Sequence, residues 1–206
     1  MTNSDVQLNR LPVFDNHYGR PERWMGLRVD GLVAAPRAFS ATDLEALAAA
    51  SLTDDFRCEE GWTVANQRWE GVSLAELLQV VRPLPIARYA EVSAAGYSVA
   101  VPLYGSEEAD SEGLTPAHAL LANRLNGAAL PEEHGGPCRL VLAGAACYAS
   151  VKWVDHIRLT AERPEETAQQ IASQRIRENR TSRLNERREE GPHSSTSSDS
   201  TSKPSS

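Results

Sequence analysis

The sequence is short of cysteine: three in 206 residues, an odd number too small for a disulfide framework. No apolar run approaches the about 18 residues that a membrane-spanning helix needs, so no span is expected. The opening residues, Met1 to Arg10, lack a basic segment followed by an apolar core and contain no twin arginine. A secretory signal is therefore not expected, and the cytoplasm is the expected compartment. G-x-G-x-x-G, G-x-x-x-x-G-K-[ST], H-E-x-x-H and G-x-S-x-G are all missing, which removes the commonest dinucleotide, nucleotide, metalloprotease and hydrolase readings. His17, His118, His134, His156 and His193 never stand three or four residues apart, and no C-x-x-C occurs, so zinc has no ligand set.

What is present is acidic. The formal net charge is −7, and residues 161–206 balance eight basic against eight acidic side chains, so the excess lies in residues 1–160. Nucleic-acid binding relies on clustered Lys and Arg neutralising phosphates, and this body offers the opposite sign. No nucleic-acid partner is expected.

Three zones follow from composition. Pro192 to Ser206 holds ten Ser or Thr and no apolar side chain larger than proline; such a segment cannot offset its ordering entropy by burial and is expected to be disordered. Residues 161–191 are dense in Glu and Arg, with Ile171, Ile176 and Leu184 as a thin apolar stripe, and are expected as a charged, helical extension. The folded unit is expected over residues 10–160. Within it Leu27 and Val29 alternate with polar neighbours up to Asp30-Gly31, a strand and turn. Ser40-Ala41-Thr42-Asp43 predicts a short helix through Ala50, and Ser73-Leu74-Ala75-Glu76 a helix ending before Pro83. Val92–Val101, broken at Gly96, predicts two strands; Thr115-Pro116 predicts a helix over His118–Leu125. Leu140–Leu142 predicts a short buried strand and Val151–Leu159 a last alternating one. Strands and short helices interleave without long βαβ spacing, so the expected fold class is α+β with a mixed sheet.

Three segments carry chemistry. In Asp54-Asp55-Phe56-Arg57-Cys58-Glu59-Glu60-Gly61-Trp62, Cys58 is either a buried structural thiol or a thiolate nucleophile or soft-metal ligand whose pKa Arg57 would lower. Leu125 to Val141 contains His134-Gly135-Gly136-Pro137 followed by Arg139, a turn whose amides and nearby cation suit an anion. Ser150-Val151-Lys152-Trp153 supplies a second cation. Taken alone, Arg139 and Lys152 read as surface charges.

In this order the segments resemble one family, the molybdopterin-binding domain of the sulfite oxidase superfamily, including its small prokaryotic members. The shared pattern is W-x-x-L-x-V-x-G over Trp24–Gly31, Cys-x-x-Gly-Trp from Cys58, and Trp-x-Gly-Val-x-Leu from Trp69. It continues through Gly96-Tyr97-Ser98, Leu-Asn-Gly-x-x-Leu-Pro from Leu125, His-Gly-Gly-Pro-x-Arg-Leu-Val from His134, and Ser-Val-Lys-Trp from Ser150. The resemblance implies a mixed α+β fold that buries molybdopterin, a pyranopterin dithiolene, carrying molybdenum, with Cys58 as the single protein ligand to the metal. A thiolate is a soft donor suited to a transition metal. It further implies cofactor contacts from Asn16, His17, Ser93, His134, Arg139, Ser150, Val151 and Lys152, with Arg139 and Lys152 on the pterin phosphate. Trp62, Trp69 and Trp153 are expected as pocket wall and core, and Cys138 and Cys147 as core thiols.

The implied activity is oxygen-atom transfer at molybdenum, to or from a small-molecule oxo-acceptor or oxo-donor, with electrons exchanged with an external redox protein. The other expectation is a non-catalytic molybdopterin carrier or interaction module. Asp15 stands where animal and plant sulfite oxidases place an oxyanion-binding arginine, and its charge would repel sulfite. Glu59-Glu60-Gly61-Trp62 replaces their Gly-Asn-Arg-Arg.

Overall fold

The structure, a computed structural model, describes residues 6–13, 20–47, 49–103, 116–174 and 176–177. In chain order these residues form β1 (Val6–Leu8), β2 (Leu27–Gly31), β3 (Arg37–Phe39), α1 (Ala41–Glu45), β4 (Ala49–Cys58), β5 (Trp62–Ser73) and α2 (Leu74–Val81). They continue with β6 (Tyr89–Ala94), β7 (Tyr97–Pro102), β8 (Ala119–Leu125), β9 (Ala128–Ala129), β10 (Arg139–Leu142) and β11 (His156–Thr160). Single 3-10 turns cover Pro116–His118, Glu132–His134 and Cys147–Ala149.

Local chemistry explains most boundaries. Ser40 Oγ accepts the Asp43 N–H at 3.1 Å while the Asp43 carboxylate accepts the Ser40 N–H at 2.8 Å. These reciprocal bonds satisfy open amides of the first turn, and the Ser40 hydroxyl, donating to the same carboxylate at 2.6 Å, followed by the Ser40 N–H, holds the Asp43 carboxyl below its ordinary pKa. Helix α1 stops at Glu45 and not at the expected Ala50, because Ala49 and Ala50 pair with Val72 and Gly71 of β5. Ser73 caps α2 by accepting the Glu76 N–H, and Arg82 closes it in a left-handed conformation (φ 53°) just before Pro83. Ala95 and Gly96 both have positive φ, the backbone a two-residue hairpin turn requires, so β6 and β7 separate where the Gly96 break predicts.

The predicted helix over His118–Leu125 is instead strand β8. Its run Ala119-Leu120-Leu121-Ala122 is buried throughout, and a short apolar run fits a buried helix or a two-faced strand equally well by pattern. Position in the sheet decides it. Strand β8 lies between β5 and β10, sending Ala119 and Leu121 into one apolar cluster and Leu120 and Ala122 into another. The last strand begins only at His156, because Trp153 takes a positive φ of 55° that breaks the extended chain.

The strands form two sheets, so the chain is α+β with few helices. One sheet runs β1-β5-β8-β10, with β4 paired to β5 and β9 to β8; the other runs β3-β2-β11-β6-β7. Pairings β1–β5 and β2–β11 are parallel and the rest antiparallel. The larger cluster joins both sheets with α2, through Val72, Leu121 and Leu140 of the first, Val29 and Ile157 of the second, and Leu77 of the helix. The smaller lies on the other face of the first sheet, around Val64, Trp69, Leu120 and Val141. By its contacts the chain divides into two units, Met1–Ala172 and Ser173–Ser206. The first passes residue 160: Thr167 Oγ1 accepts the Ser98 N–H at 2.9 Å and donates to the Gly96 carbonyl at 2.8 Å, and Ala168 is buried in the larger cluster. Residues 168–174 are helical, while Pro192–Ser206 lies outside the described residues. Among the described residues no helix is long and apolar enough to cross a membrane.

Cys138 is the core thiol the sequence suggests. It is 1% exposed in the larger cluster, and burial, with the Asp155 charge adding to it, pushes its thiol up to about 12. Cys138→Ala is expected to cost about 1–2 kcal/mol of unfolding free energy as an ordinary packing loss. Urea titration of parent and variant measures it; no loss would mean that the sulfur packs nothing.

Candidate functional site

Cys58 ends β4 at the mouth of the β4–β5 hairpin, opposite Trp62. It is half-buried and belongs to neither apolar cluster. Arg57, the expected activator, faces away, since neighbouring strand residues alternate sides. Its guanidinium pairs instead with Asp55 at 3.3 Å, and its side chain is largely exposed. The neighbour of Cys58 is another cysteine: Cys147 Sγ lies 3.0 Å from Cys58 Sγ. Cys147 is therefore not a core thiol. It is half-buried in the 3-10 turn Cys147–Ala149, which Tyr97 holds by donating its hydroxyl to the Tyr148 carbonyl. Asp54 on β4 fixes the same loop by accepting the Gly144 N–H at 2.9 Å.

The two thiols titrate as a pair. Loss of a proton is eased at Cys147, where the Cys58 S–H stabilises the thiolate and the Glu59 N–H and the Arg139 charge add to it. Cys58 is pushed up by the same sulfur–sulfur bond and then by burial.

Arg139 is the second component, and it is not on the surface. It opens β10, and its side chain falls on the face where Val141 packs into the smaller cluster. An alternating strand would place an apolar residue there. The side chain is only 4% exposed; its guanidinium lies 4.9 Å over the Phe56 ring and 5.0 Å over the Trp69 ring. Nη1 donates to the His134 carbonyl at 2.8 Å, while the buried Nε has no hydrogen-bond partner. Burial pulls its pKa down to about 10, so it remains cationic at neutral pH. A buried cation left partly unpaired is expensive in a folded chain and marks a place where an anion would be stabilised.

The turn before Arg139 is stitched by three donors. The carbonyls of Glu132, Glu133 and His134 accept, respectively, from Trp153 Nε1 at 2.7 Å, Lys152 Nζ at 2.8 Å and Arg139 Nη1 at 2.8 Å. Glycine is needed beside it: a Cβ on Gly136 would meet the Leu130 carbonyl oxygen at 2.0 Å, and one on Gly135 the Lys152 side chain at 2.9 Å. Ser150 and Val151 are buried, and the Leu140 N–H donates to the Val151 carbonyl at 2.9 Å, which lays Ser150–Lys152 along β10. Ser93 lies on β6 in the second sheet. Its hydroxyl donates to the His156 carbonyl at 3.5 Å, and its own carbonyl accepts the Asp155 N–H at 3.2 Å.

The structure thus gathers His134, Arg139, Ser150, Val151 and Lys152 around one turn. The Arg139 charge acts on Cys147, and Ser93 borders the far end of the Ser150–Asp155 segment. Asn16, His17 and Asp15 lie outside the described residues. Sequence reasoning misses Cys147 and Phe56. Cys147 stands three residues before Ser150, which was a usable signal; nothing in sequence announces that Phe56 would lie over Arg139. The donor set fits an anionic group such as a pterin phosphate: a buried guanidinium with an unsatisfied Nε, a lysine nearby, and a half-buried thiol at the edge.

Residues 12–168 match the family described as "Oxidoreductase molybdopterin binding domain". The chain is 32% identical over 154 residues to the protein-methionine-sulfoxide reductase catalytic subunit MsrP of Ralstonia nicotianae, covering 70% of this chain and 46% of that one. It is 29% identical to the uncharacterized oxidoreductase YuiH of Bacillus subtilis, covering 71% and 70%, and 27% identical to the sulfite oxidase of Arabidopsis thaliana, covering 64% and 41%. Its fold resembles the solved sulfane dehydrogenase SoxCD of Paracoccus pantotrophus, with a TM-score of 0.59 and 25% identity over 69% of this chain and 39% of that one. The chain thus spans less than half the length of the reductase subunit and of the sulfite oxidase.

Proposed function

Since this chain belongs to the oxidoreductase molybdopterin binding domain family of the sulfite oxidase superfamily, whose cofactor is molybdopterin with molybdenum, we propose that it is an oxidoreductase that moves an oxygen atom to or from a small molecule. Oxygen enters or leaves as water, and each turnover exchanges two protons and two electrons. Cys58 is the protein ligand to molybdenum in this reading, and an external redox protein exchanges the electrons; the sequence has no C-x-x-C-H haem motif of its own. When bound, the cofactor supplies the redox chemistry of the transfer.

The protein's part is to hold and to bias. Arg139 presents a fixed cation whose desolvation cost has already been met in folding, so a phosphate gains its attraction without further reorganisation. Lys152 adds a point charge at the same turn, where its Nζ donates to the Glu133 carbonyl. His134, Ser150 and Val151 shape the edge of that turn, Ser93 borders the Asp155 end of the Ser150–Asp155 segment, and Asn16 and His17 are further cofactor contacts in this reading. The Phe56 and Trp69 rings lie on the Arg139 guanidinium and exclude water from it, which strengthens its field. Arg139 Nε, buried and without a hydrogen-bond partner, is the observation on which this stands.

The test is metal analysis of chain purified from a cofactor-competent host, followed by dye-linked turnover. The names of the relatives put sulfur-centred substrates first, so the panel is sulfite and sulfoxides, then N-oxides and nitrate. Stoichiometric molybdenum with turnover of one class is expected. Bound molybdenum with no turnover anywhere would make the chain a carrier, and no molybdenum would remove both readings.

A further inference from the structure

We propose that Cys58 and Cys147 form a reversible disulfide in the cofactor-free chain. Two half-buried sulfurs stand 3.0 Å apart, 89 positions apart in sequence. A disulfide bond is about 2.05 Å, so closing it requires the two sulfurs to approach by about 1 Å. Both partners are already held in place. Cys58 is fixed by strand pairing to Trp62. Cys147 sits in a turn tied to β4 through Asp54 and to β7 through Tyr97. Backbone amides of the hairpin turn reach both sulfurs, the Glu59 N–H at Cys147 and the Glu60 N–H at Cys58. The third cysteine is buried elsewhere and cannot compete.

The oxidant is a small-molecule disulfide, RSSR. One cysteine thiolate attacks a sulfur of RSSR, forming a mixed disulfide and expelling RS⁻; the second cysteine attacks the mixed disulfide, closes the Cys58–Cys147 bond and expels the second RS⁻. Two thiols are oxidised, one RSSR is reduced, and the two cysteine protons leave on two RSH. A small thiol reverses both steps. The consequence for loading rests on the Cys58 ligand reading above: a sulfur held in a disulfide cannot also be a metal ligand, so the oxidised chain would refuse molybdenum until reduced.

The experiment uses the full chain purified reduced from a host unable to make molybdopterin, treated with oxidised glutathione. Intact mass is expected to fall by two hydrogens with no adduct retained. Digestion without reductant is expected to yield one cross-linked peptide pair, from Cys58 and Cys147. Cys147→Ser is expected to retain a glutathione adduct on Cys58, showing that the oxidant reaches the site. Persistent adducts on the parent, a bridge to Cys138, or thiols that survive treatment while the Cys147→Ser variant is modified would overturn the proposal. Absence of reaction in both proteins would overturn it too, since the site would be closed to the oxidant. Treated and untreated chains are then offered molybdopterin-containing extract and their molybdenum measured. Loss of uptake by the bridged chain alone, restored by dithiothreitol, is expected. If the bridge forms and both chains load equally, the ligand reading fails and the disulfide stands.

Discussion

Cys58→Ala is expected to abolish oxygen-transfer activity and to leave the fold intact. The thiol ends a strand at a hairpin mouth, half-exposed and outside both apolar clusters, so its removal takes away little packed surface. A stability change below about 1 kcal/mol is expected, as for other positions away from core packing. The effect on the metal is of another order. A thiolate donates charge directly, and alanine offers no replacement ligand, so the metal's electronics and retention both change. Dye-linked turnover and molybdenum content should fall together while the urea midpoint stays near the parent's. Cys147→Ala is the necessary companion, because its sulfur is 3.0 Å away and is the nearest candidate to substitute. That variant should keep its molybdenum. Parent-level turnover by Cys58→Ala would refute the ligand assignment, and loss of metal only in Cys147→Ala would transfer it to the second thiol.

What was legible in the sequence was local or motif-borne. The Ser40 and Ser73 caps, the Gly96 turn and the buried β10 run follow from side-chain chemistry within a few residues, and they hold in the structure. The ordered string of short motifs gave the family, which the match over residues 12–168 establishes. What was not legible depends on distant partners. Ala119–Leu125 becomes a strand because two neighbouring strands and two apolar clusters need it between them, information its own pattern does not contain. The Cys58–Cys147 pair joins residues 89 positions apart, and only the meeting of β4 with the Cys147–Ala149 turn brings them together. Arg57 was the wrong activator for a geometric reason, since adjacent strand residues face opposite sides. Taken without the family resemblance, Arg139 reads as a surface charge because composition carries no register; once β10 is aligned, its place beside Val141 puts it inside.

That position of Arg139 yields an expectation in which stability and binding move in opposite directions. Arg139→Met keeps an unbranched side chain of similar reach between the Phe56 and Trp69 rings, but removes a buried charge whose Nε has no partner. Replacing a poorly compensated buried ion with an apolar side chain is often neutral or stabilising. The cofactor-free variant should therefore melt at or above the parent temperature, although the His134 carbonyl loses one donor. Cofactor retention should fall in the same variant. Losing a charge-assisted hydrogen bond costs roughly 1.5–3 kcal/mol, about ten- to a hundredfold in affinity. Lys152→Ala should also lose cofactor, but without the gain in stability, because its Nζ ties down the Glu133 carbonyl and its stem packs on Gly135. Pterin fluorescence after oxidative release reads occupancy, and calorimetry of the cofactor-free chains reads stability. Equal pterin in parent and Arg139→Met would remove Arg139 from the site. A strongly destabilised cofactor-free Arg139→Met would show that the guanidinium is there to hold the Glu132–His134 turn, with the anion site elsewhere.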